Sequence, residues 1–195
     1  MSGDGLGRLW AGWRGAYVEG TVEADRDGTV GEYPTAEPVT PTTFGPGQDS
    51  TCVLCRVIAP SNDDRMANVL WRGDHCTAVL NAYPYTSGHL MVLPNRHVGE
   101  LEDLTEGEAS ELWAAVRAAT GALKQAYQPG GINLGANIGR AAGAGVPGHL
   151  HLHALPRWDG DTNFTTAVAE VRVLPEALPA SWAKLKAAWP VASTR

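Results

Sequence analysis

The sequence predicts an α+β fold in which an antiparallel meander of about five strands packs against one long helix. Several short apolar segments are bounded by Gly or Pro, as strands usually are. One longer segment carries sustained helical spacing. A length of 195 residues with 44% hydrophobic side chains suits a single compact core. Helical extensions are expected at both ends of this core.

Five apolar segments supply the predicted strands. The first two flank Gly73-Asp74-His75, which is typical of a hairpin turn. The segments are Val69–Arg72, Cys76–Leu80 and residues 88–94, 131–137 and 149–156. A weaker pattern predicts a further extended piece around residues 168–174.

The long helix is predicted between residues 105 and 127. Thr105 and Glu108 match a capping box, and Pro129 ends the pattern. Six apolar residues hold helical spacing between them: Ala109, Leu112, Trp113, Val116, Leu123 and Tyr127. A second helix is expected from about residue 180 to 189.

The chain divides into a leader and one domain. Residues 6–18 place leucines and tryptophans on one face of a predicted helix. Residues 23–49 are rich in Pro, Thr, Gly and acids, which indicates a flexible linker. The sequence therefore predicts an N-terminal helix and flexible leader over 1–50 and a single domain over 51–195, with its core at about 51–164 and a C-terminal extension at 165–195.

Charge and hydropathy exclude two classes of partner. Of the net charge of -6, most lies in residues 1–50, which hold eight acids against three bases, whereas residues 51–195 hold thirteen against twelve. We therefore expect no nucleic-acid partner, because no basic stripe exists to neutralise a polynucleotide. No apolar run approaches the roughly 20 residues of a membrane helix, so no membrane is expected. The start of the chain lacks signal-peptide features, which predicts a cytoplasmic location.

Two of the three cysteines form the motif Cys52-Val-Leu-Cys55. In a reducing compartment this spacing indicates metal binding more than a disulfide framework. A redox pair would need a βαβ context, whereas here an antiparallel meander and histidines follow. Zinc is the favoured interpretation, with a redox pair or unpaired thiols as the alternatives.

Three of the six histidines alternate with aliphatic residues in the segment 149–155. In a strand, His149, His151 and His153 share one face, and the intervening residues share the other. Alternate residues lie about 6.7 Å apart, so the row extends roughly 13 Å, comparable with a short polyphosphate. The three imidazoles are therefore predicted to bind one anion. The alternatives are a three-histidine metal site and a chance arrangement on a solvated strand.

The middle histidine is the natural nucleophile. Imidazole attacks phosphorus only when it is neutral, and neighbouring imidazoles discourage one another's protonation. This reasoning assigns nucleophilic attack to His151.

The histidine segment, with Gly135-Ala-Asn137 and Gly88-His-Leu-Met-Val-Leu-Pro94 before it, resembles the histidine triad (HIT) superfamily of nucleotide hydrolases and transferases. The resemblance covers about residues 51–164. It implies that His151 attacks the α-phosphorus of a nucleotide to form a nucleotidyl-histidine, and that His153 contacts the phosphate. It also implies that Asn81 contacts the ribose; the alternative is that Asn81 caps its own loop.

The resemblance further implies a phosphate-binding role for Asn137 and for backbone amides between Gly143 and Gly148. Trp158 would stack on a base or line the phosphate path, or else cover the edge of the core. Arg157 would bind a distal phosphate or remain a solvated charge.

One position departs from the hydrolases of the superfamily, which usually carry Gln four residues before the first triad histidine. Gly145 stands there, which leaves room for an acceptor larger than water. The chain is similar in this, and in Pro156-Arg-Trp158, to the actinobacterial diadenosine tetraphosphate phosphorylases. The resemblance implies cleavage of diadenosine tetraphosphate with inorganic phosphate as acceptor, giving ADP and ATP. A hydrolase or phosphoramidase that uses water, and a non-catalytic nucleotide-binding module, are the alternatives.

Zinc-binding relatives of the superfamily imply the ligand set Cys52, Cys55, His97 and His149, with His89 a less favoured fourth ligand. Two thiolates and two imidazoles close a tetrahedral shell, so the metal is expected to be structural. Family members commonly form homodimers around the long helix, and a dimer or higher homo-oligomer is expected.

Overall fold

The structure is a computed structural model that describes residues 40–161 and 176–190. The helix predicted at residues 6–18 and the extended piece at 168–174 lie outside these ranges. Within them, no helix is long and apolar enough to cross a membrane.

The core is a five-stranded antiparallel sheet, which confirms the predicted fold class. Its strands are β1 (Val69–Arg72), β2 (Cys76–Leu80), β3 (Leu90–Pro94), β4 (Gly131–Gly135) and β5 (Leu152–Arg157). The order across the sheet is β1-β2-β3-β5-β4. The histidine strand β5 therefore lies between β3 and β4 instead of following β4 at an edge.

Three α-helices surround the sheet in the described ranges: α1 (Val53–Ile58), α2 (Glu106–Tyr127) and α3 (Leu178–Ala188). Helix α2 begins after Thr105, and the predicted capping box with Glu108 is present. Helix α3 confirms the helix expected near residue 180. Helix α1 was not predicted, because its six residues are too few to show a helical period.

The two faces of the sheet serve different purposes. One face packs on α2, and its buried residues include Ala78, Leu80, Leu90, Val92, Leu150, Leu152 and Ala154. On the other face, Val79, Met91 and Leu93 pack against α1. The residues between the triad histidines thus belong to the α2 face, as the alternation predicts.

Strand β5 begins three residues later than the sequence predicts. Its pairing with β3 ends at Leu152 and Val92. Pro94 has no N–H to continue this ladder, and the N–H of Leu150 instead donates to Val98 O at 2.7 Å. His149 and His151 therefore lie in the extended segment that leads into β5.

Helix α3 covers the outer edge of β1. The Trp182 indole N–H donates to Val69 O at 2.9 Å, and Lys186 Nζ donates to Leu70 O at 3.0 Å. These side chains occupy backbone acceptors that an edge strand otherwise presents to solvent. The opposite edge, β4, is mostly exposed.

A salt bridge joins the end of β3 to the start of α2. Arg96 donates to Glu108 Oε1 at 2.9 Å and to Oε2 at 2.8 Å, and Glu108 also accepts the Thr105 N–H at 2.8 Å. Its bonds with Arg96 are the main cause that lowers the pKa of Glu108 from 4.5 to about 2. This contact holds the segment that carries His97 against the first turn of α2.

Replacing Glu108 with Gln should lower the free energy of unfolding at pH 7 by about 1–2 kcal/mol, because neutral hydrogen bonds replace charge-assisted ones. The pKa of Glu108 is lower in the folded state, so its contribution is complete above pH 4.5 and disappears as the pH falls toward 2. Urea unfolding of both proteins should therefore give stabilities that converge in acid. Glu106→Gln, which changes an exposed first-turn carboxylate, is the control, and an equal loss in both variants would contradict this role.

Candidate active site

The three triad histidines are buried and divide between two neighbouring groups. His151 and His153 lie side by side, with their ring centroids 5.0 Å apart. The His149 ring instead lies 5.4 Å from that of His97, next to the two cysteines. The expectation that all three rings bind one anion is therefore not met by His149, whose Nδ1 faces sulfur.

The backbone fixes the protonation pattern of His151. Its Nδ1 lies 2.7 Å from the carbonyl oxygen of His149. A carbonyl can only accept a hydrogen bond, so Nδ1 carries the proton and Nε2 keeps its lone pair in the neutral ring. The geometry thus prepares Nε2 of His151 as a nucleophile.

A second histidine, His89 immediately before β3, orients His153. The Tyr85 backbone N–H donates to His89 Nδ1 at 3.1 Å, so the proton of a neutral His89 is on Nε2. His89 Nε2 lies 2.9 Å from His153 Nδ1 and donates to it. In the neutral His153 ring, the proton is consequently on Nε2, which becomes a donor suited to a phosphate oxygen.

The loop between β2 and β3 supports this pair. The Tyr85 ring lies 4.6 Å from the His89 ring and 6.0 Å from the His153 ring. Asn81 Oδ1 accepts the Tyr83 N–H at 2.9 Å, and its Nδ2 lies 3.4 Å from His89 Nδ1. Asn81 thus caps its own loop, the alternative named above, while also lying beside the histidine pair.

The four predicted metal ligands form one cluster. Single donor atoms of Cys52, Cys55, His97 and His149 all lie within 4.8 Å of one another. His149 Nδ1 is 3.6 Å from Cys52 Sγ and 3.4 Å from Cys55 Sγ, and His97 Nδ1 is 3.5 Å from Cys55 Sγ. Helix α1 begins at this cluster, with Cys52 as its N-cap.

This donor set fits a structural zinc ion. His149 Nε2 donates to Pro94 O at 2.9 Å, which leaves the Nδ1 lone pair facing the sulfur atoms. Burial is the main cause that lowers the pKa of His149 to about 4, so the ring is neutral and able to bind a metal. Burial also raises the pKa of the Cys55 thiol, and a bound cation would offset this by favouring the thiolate. Cys2His2 donors satisfy tetrahedral zinc without an open position.

The remaining predicted residues lie in two loops. In the first, Asn137 and Gly145 are half-buried and Gly143 is exposed. Gly143 has a φ of 87°, and its N–H donates to Arg140 O at 2.9 Å, so this amide closes a turn. The loop thus directs at least one of its predicted phosphate-binding amides into its own backbone.

The second loop contains Trp158, which lies 6.1 Å from the Tyr127 ring in an edge-to-face contact. Asp161 accepts bonds from both Arg157 Nε and a terminal Arg157 nitrogen, at 2.6 and 2.7 Å, and from the Trp158 N–H at 3.1 Å. Arg157 therefore holds the turn together through Asp161, and neither role proposed for it from sequence describes this contact.

Comparison with known proteins identifies the family. The HIT domain model matches residues 62–160. A Mycobacterium tuberculosis protein named AP-4-A phosphorylase is 39% identical over 176 residues, which cover 90% of this chain and 80% of that protein. The chain belongs to the HIT family. HIT proteins of known structure share its fold. One is a zinc-bound histidine triad protein from Mycobacterium smegmatis, which is 26% identical with a TM-score of 0.58 over 71% of this chain and 93% of that one.

Another HIT relative has a different name. A Schizosaccharomyces pombe protein named bis(5'-nucleosyl)-tetraphosphatase (asymmetrical) is 34% identical over 95 residues, which cover 49% of this chain and 52% of that protein.

The sequence did not predict the part that His89 plays in the HIT site. The sequence suggests His89 only as a less favoured metal ligand, whereas its ring donates a hydrogen bond to His153. A usable signal was present, because Gly88-His89 begins the strand that pairs with the triad strand, and alternation places His89 and Met91 on the face of Val79.

In the variant His89→Phe, His153 should no longer be held in one tautomer, because phenylalanine cannot donate a hydrogen bond to His153 Nδ1. At pH 8, where an ordinary histidine is neutral, the ¹⁵N spectrum of wild-type imidazoles should show His153 protonated on Nε2. The variant should show exchange between both tautomers. His75→Phe, which changes an exposed turn residue, is the control. Identical His153 nitrogen shifts in wild type and His89→Phe would show that another contact sets the tautomer.

Proposed function

We propose that this HIT protein is a diadenosine tetraphosphate phosphorylase that acts by nucleotidyl transfer to His151. The observation that carries the proposal is the bond from His151 Nδ1 to His149 O, which leaves Nε2 as the nucleophilic nitrogen. The M. tuberculosis relative named AP-4-A phosphorylase supports the choice of substrate.

In the first step, His151 Nε2 forms a bond to the α-phosphorus, and the bond from that phosphorus to its bridging oxygen breaks. ATP leaves, and AMP remains on the imidazole as a covalent intermediate. The imidazole becomes positively charged, and its Nδ1–H bond to the His149 carbonyl stabilises that charge. His153 Nε2–H would donate to a phosphoryl oxygen, with its direction maintained by His89.

In the second step, an oxygen of inorganic phosphate attacks the phosphorus and the N–P bond breaks. ADP forms, and His151 returns to its neutral state. Gly145 supports phosphate as the acceptor, because a glycine leaves space that the Gln of the superfamily's hydrolases would fill. Asn81 and Asn137 are proposed as ribose and phosphate contacts, and Trp158 as a base contact or a lining of the phosphate path.

A hydrolase is the second candidate. The S. pombe relative named as a tetraphosphatase favours it, because that name describes cleavage by water. The chemistry of the first step would be unchanged. Only the acceptor, phosphate or water, distinguishes the two enzymes. A nucleotide-binding module without turnover would use neither acceptor.

Incubation of the protein with diadenosine tetraphosphate, with and without inorganic phosphate, tests these functions. We expect ADP and ATP to appear only with phosphate. AMP and ATP in both mixtures would establish the hydrolase and contradict the phosphorylase. No turnover would favour the binding module.

The His151→Ala variant tests the covalent mechanism in the same assay. Turnover should fall by at least about a hundredfold, because the variant lacks the attacking nitrogen. Mass spectrometry of acid-free quenched samples should detect added AMP on the wild type and none on the variant. The exposed-site variant His75→Ala should retain wild-type turnover. Cleavage at the wild-type rate by His151→Ala would refute the mechanism.

We also propose that the HIT domain forms a homodimer, with a larger homo-oligomer as the alternative. Trp113 on α2 is 55% exposed and Leu134 on the edge strand β4 is 50% exposed, and a second copy would remove this apolar area from water. Light scattering should give at least twice the chain mass of 20.6 kDa. A monomeric mass would contradict the proposal. A cytoplasmic location and the absence of nucleic-acid and membrane partners stay predictions.

A further inference from the structure

Of the four predicted metal ligands, His97 has the most exposed side chain. The side chains of Cys52, Cys55 and His149 are buried, whereas 29% of the His97 side chain is exposed. His97 also lies on the segment after β3, outside any helix or strand. A solvent-accessible ligand on a loop needs an additional contact if it is to stay in place for the metal.

We propose that Asp49 is a positioning residue of the zinc site, holding His97 from outside the four ligands. Asp49 Oδ1 accepts the Thr51 N–H at 2.8 Å and the Thr51 hydroxyl at 2.7 Å. Its other oxygen, Oδ2, lies 3.9 Å from His97 Nε2. Thr51 thus fixes the carboxylate so that one oxygen is directed at the histidine.

The two nitrogens of His97 then have separate partners. Nδ1 lies 3.5 Å from Cys55 Sγ and is the atom that would bind the metal. In a neutral imidazole that binds through Nδ1, the proton is on Nε2, which faces the carboxylate. A cation at Nδ1 makes the Nε2–H more positive, and the attraction to Asp49 grows accordingly. A carboxylate in this place fixes the ring orientation and raises the basicity of the ligand.

The backbone around Asp49 holds the same histidine. Gly47 O accepts the His97 N–H at 2.9 Å, and Asp49 O accepts the Cys52 N–H at 3.1 Å. Gly47 has a φ of 72°, and a Cβ there would lie 2.8 Å from Arg96 Cγ, so glycine is required for this approach. Residues 47–52 therefore bind His97 at its backbone and its side chain, and end at the first metal ligand.

Zinc affinity tests the proposal independently of turnover, so its failure is distinct from failure of the proposed function. The full chain is titrated with zinc against a chromophoric chelator at pH 7.5. Asp49→Asn should weaken zinc binding by about 10- to 100-fold, because the amide keeps the shape but loses the charge. Asp74→Asn removes the same charge from an exposed turn and should bind zinc as the wild type does. Equal affinities of Asp49→Asn and wild type, or no zinc binding by the wild type, would overturn the proposal.

A double-mutant cycle separates this contact from a general loss of structure. If Asp49 acts through His97, the Asp49→Asn change should have less than a twofold effect on zinc affinity when His97 is already Ala. An undiminished effect in the His97→Ala background would mean that Asp49 acts through the fold, and would refute the positioning role. Circular dichroism of each zinc-loaded variant checks that the compared proteins have the same secondary structure.

Discussion

The site depends on the contacts of three polar atoms of His149. Its carbonyl oxygen accepts a hydrogen bond from His151 Nδ1. Its Nε2 donates to Pro94 O, and its Nδ1 faces the sulfur atoms of two cysteines. Because a peptide carbonyl is fixed by its backbone, the proposed nucleophile His151 is oriented by the same residue that belongs to the group of four predicted metal ligands. A shift of His149 within the group of metal ligands would therefore move its carbonyl oxygen and, with it, the ring of His151.

Much of the fold and part of the site could be predicted from sequence. Period-two alternation correctly assigned the histidines and the intervening aliphatic residues to opposite faces, and the capping box at Thr105 and Glu108 marked the start of α2. These signals are local, because they depend on residues a few positions apart. The four predicted metal ligands span almost a hundred residues. Their spacing alone does not identify them as one set, and that prediction came from the resemblance to a family.

The contacts that sequence reasoning missed are those between distant or irregular segments. His89 meets His153 across 64 positions, and no pattern within either strand specifies that their rings bond. Asp49 lies in a segment whose composition predicts a flexible linker, and the folded core was expected to start near Ser50. In the structure, contacts begin earlier, since Thr42 and Thr43 donate to Ser61 Oγ. A polar, glycine-containing segment can be ordered when specific hydrogen bonds replace apolar burial.

The point at which β5 begins also explains what a metal at this end of the strand would contribute. An internal strand is normally held by neighbours on both sides. Pairing of β5 begins at Leu152, since β3 pairs with residues 152–154 and β4 with residues 153–157. His151 lies just before that point, where the ladder with β3 has stopped because Pro94 offers no N–H. Other contacts hold this segment in place of strand pairing. They are the Leu150–Val98 and His149–Pro94 hydrogen bonds and the group of four predicted metal ligands. This arrangement holds His151 in the segment just before the regular sheet.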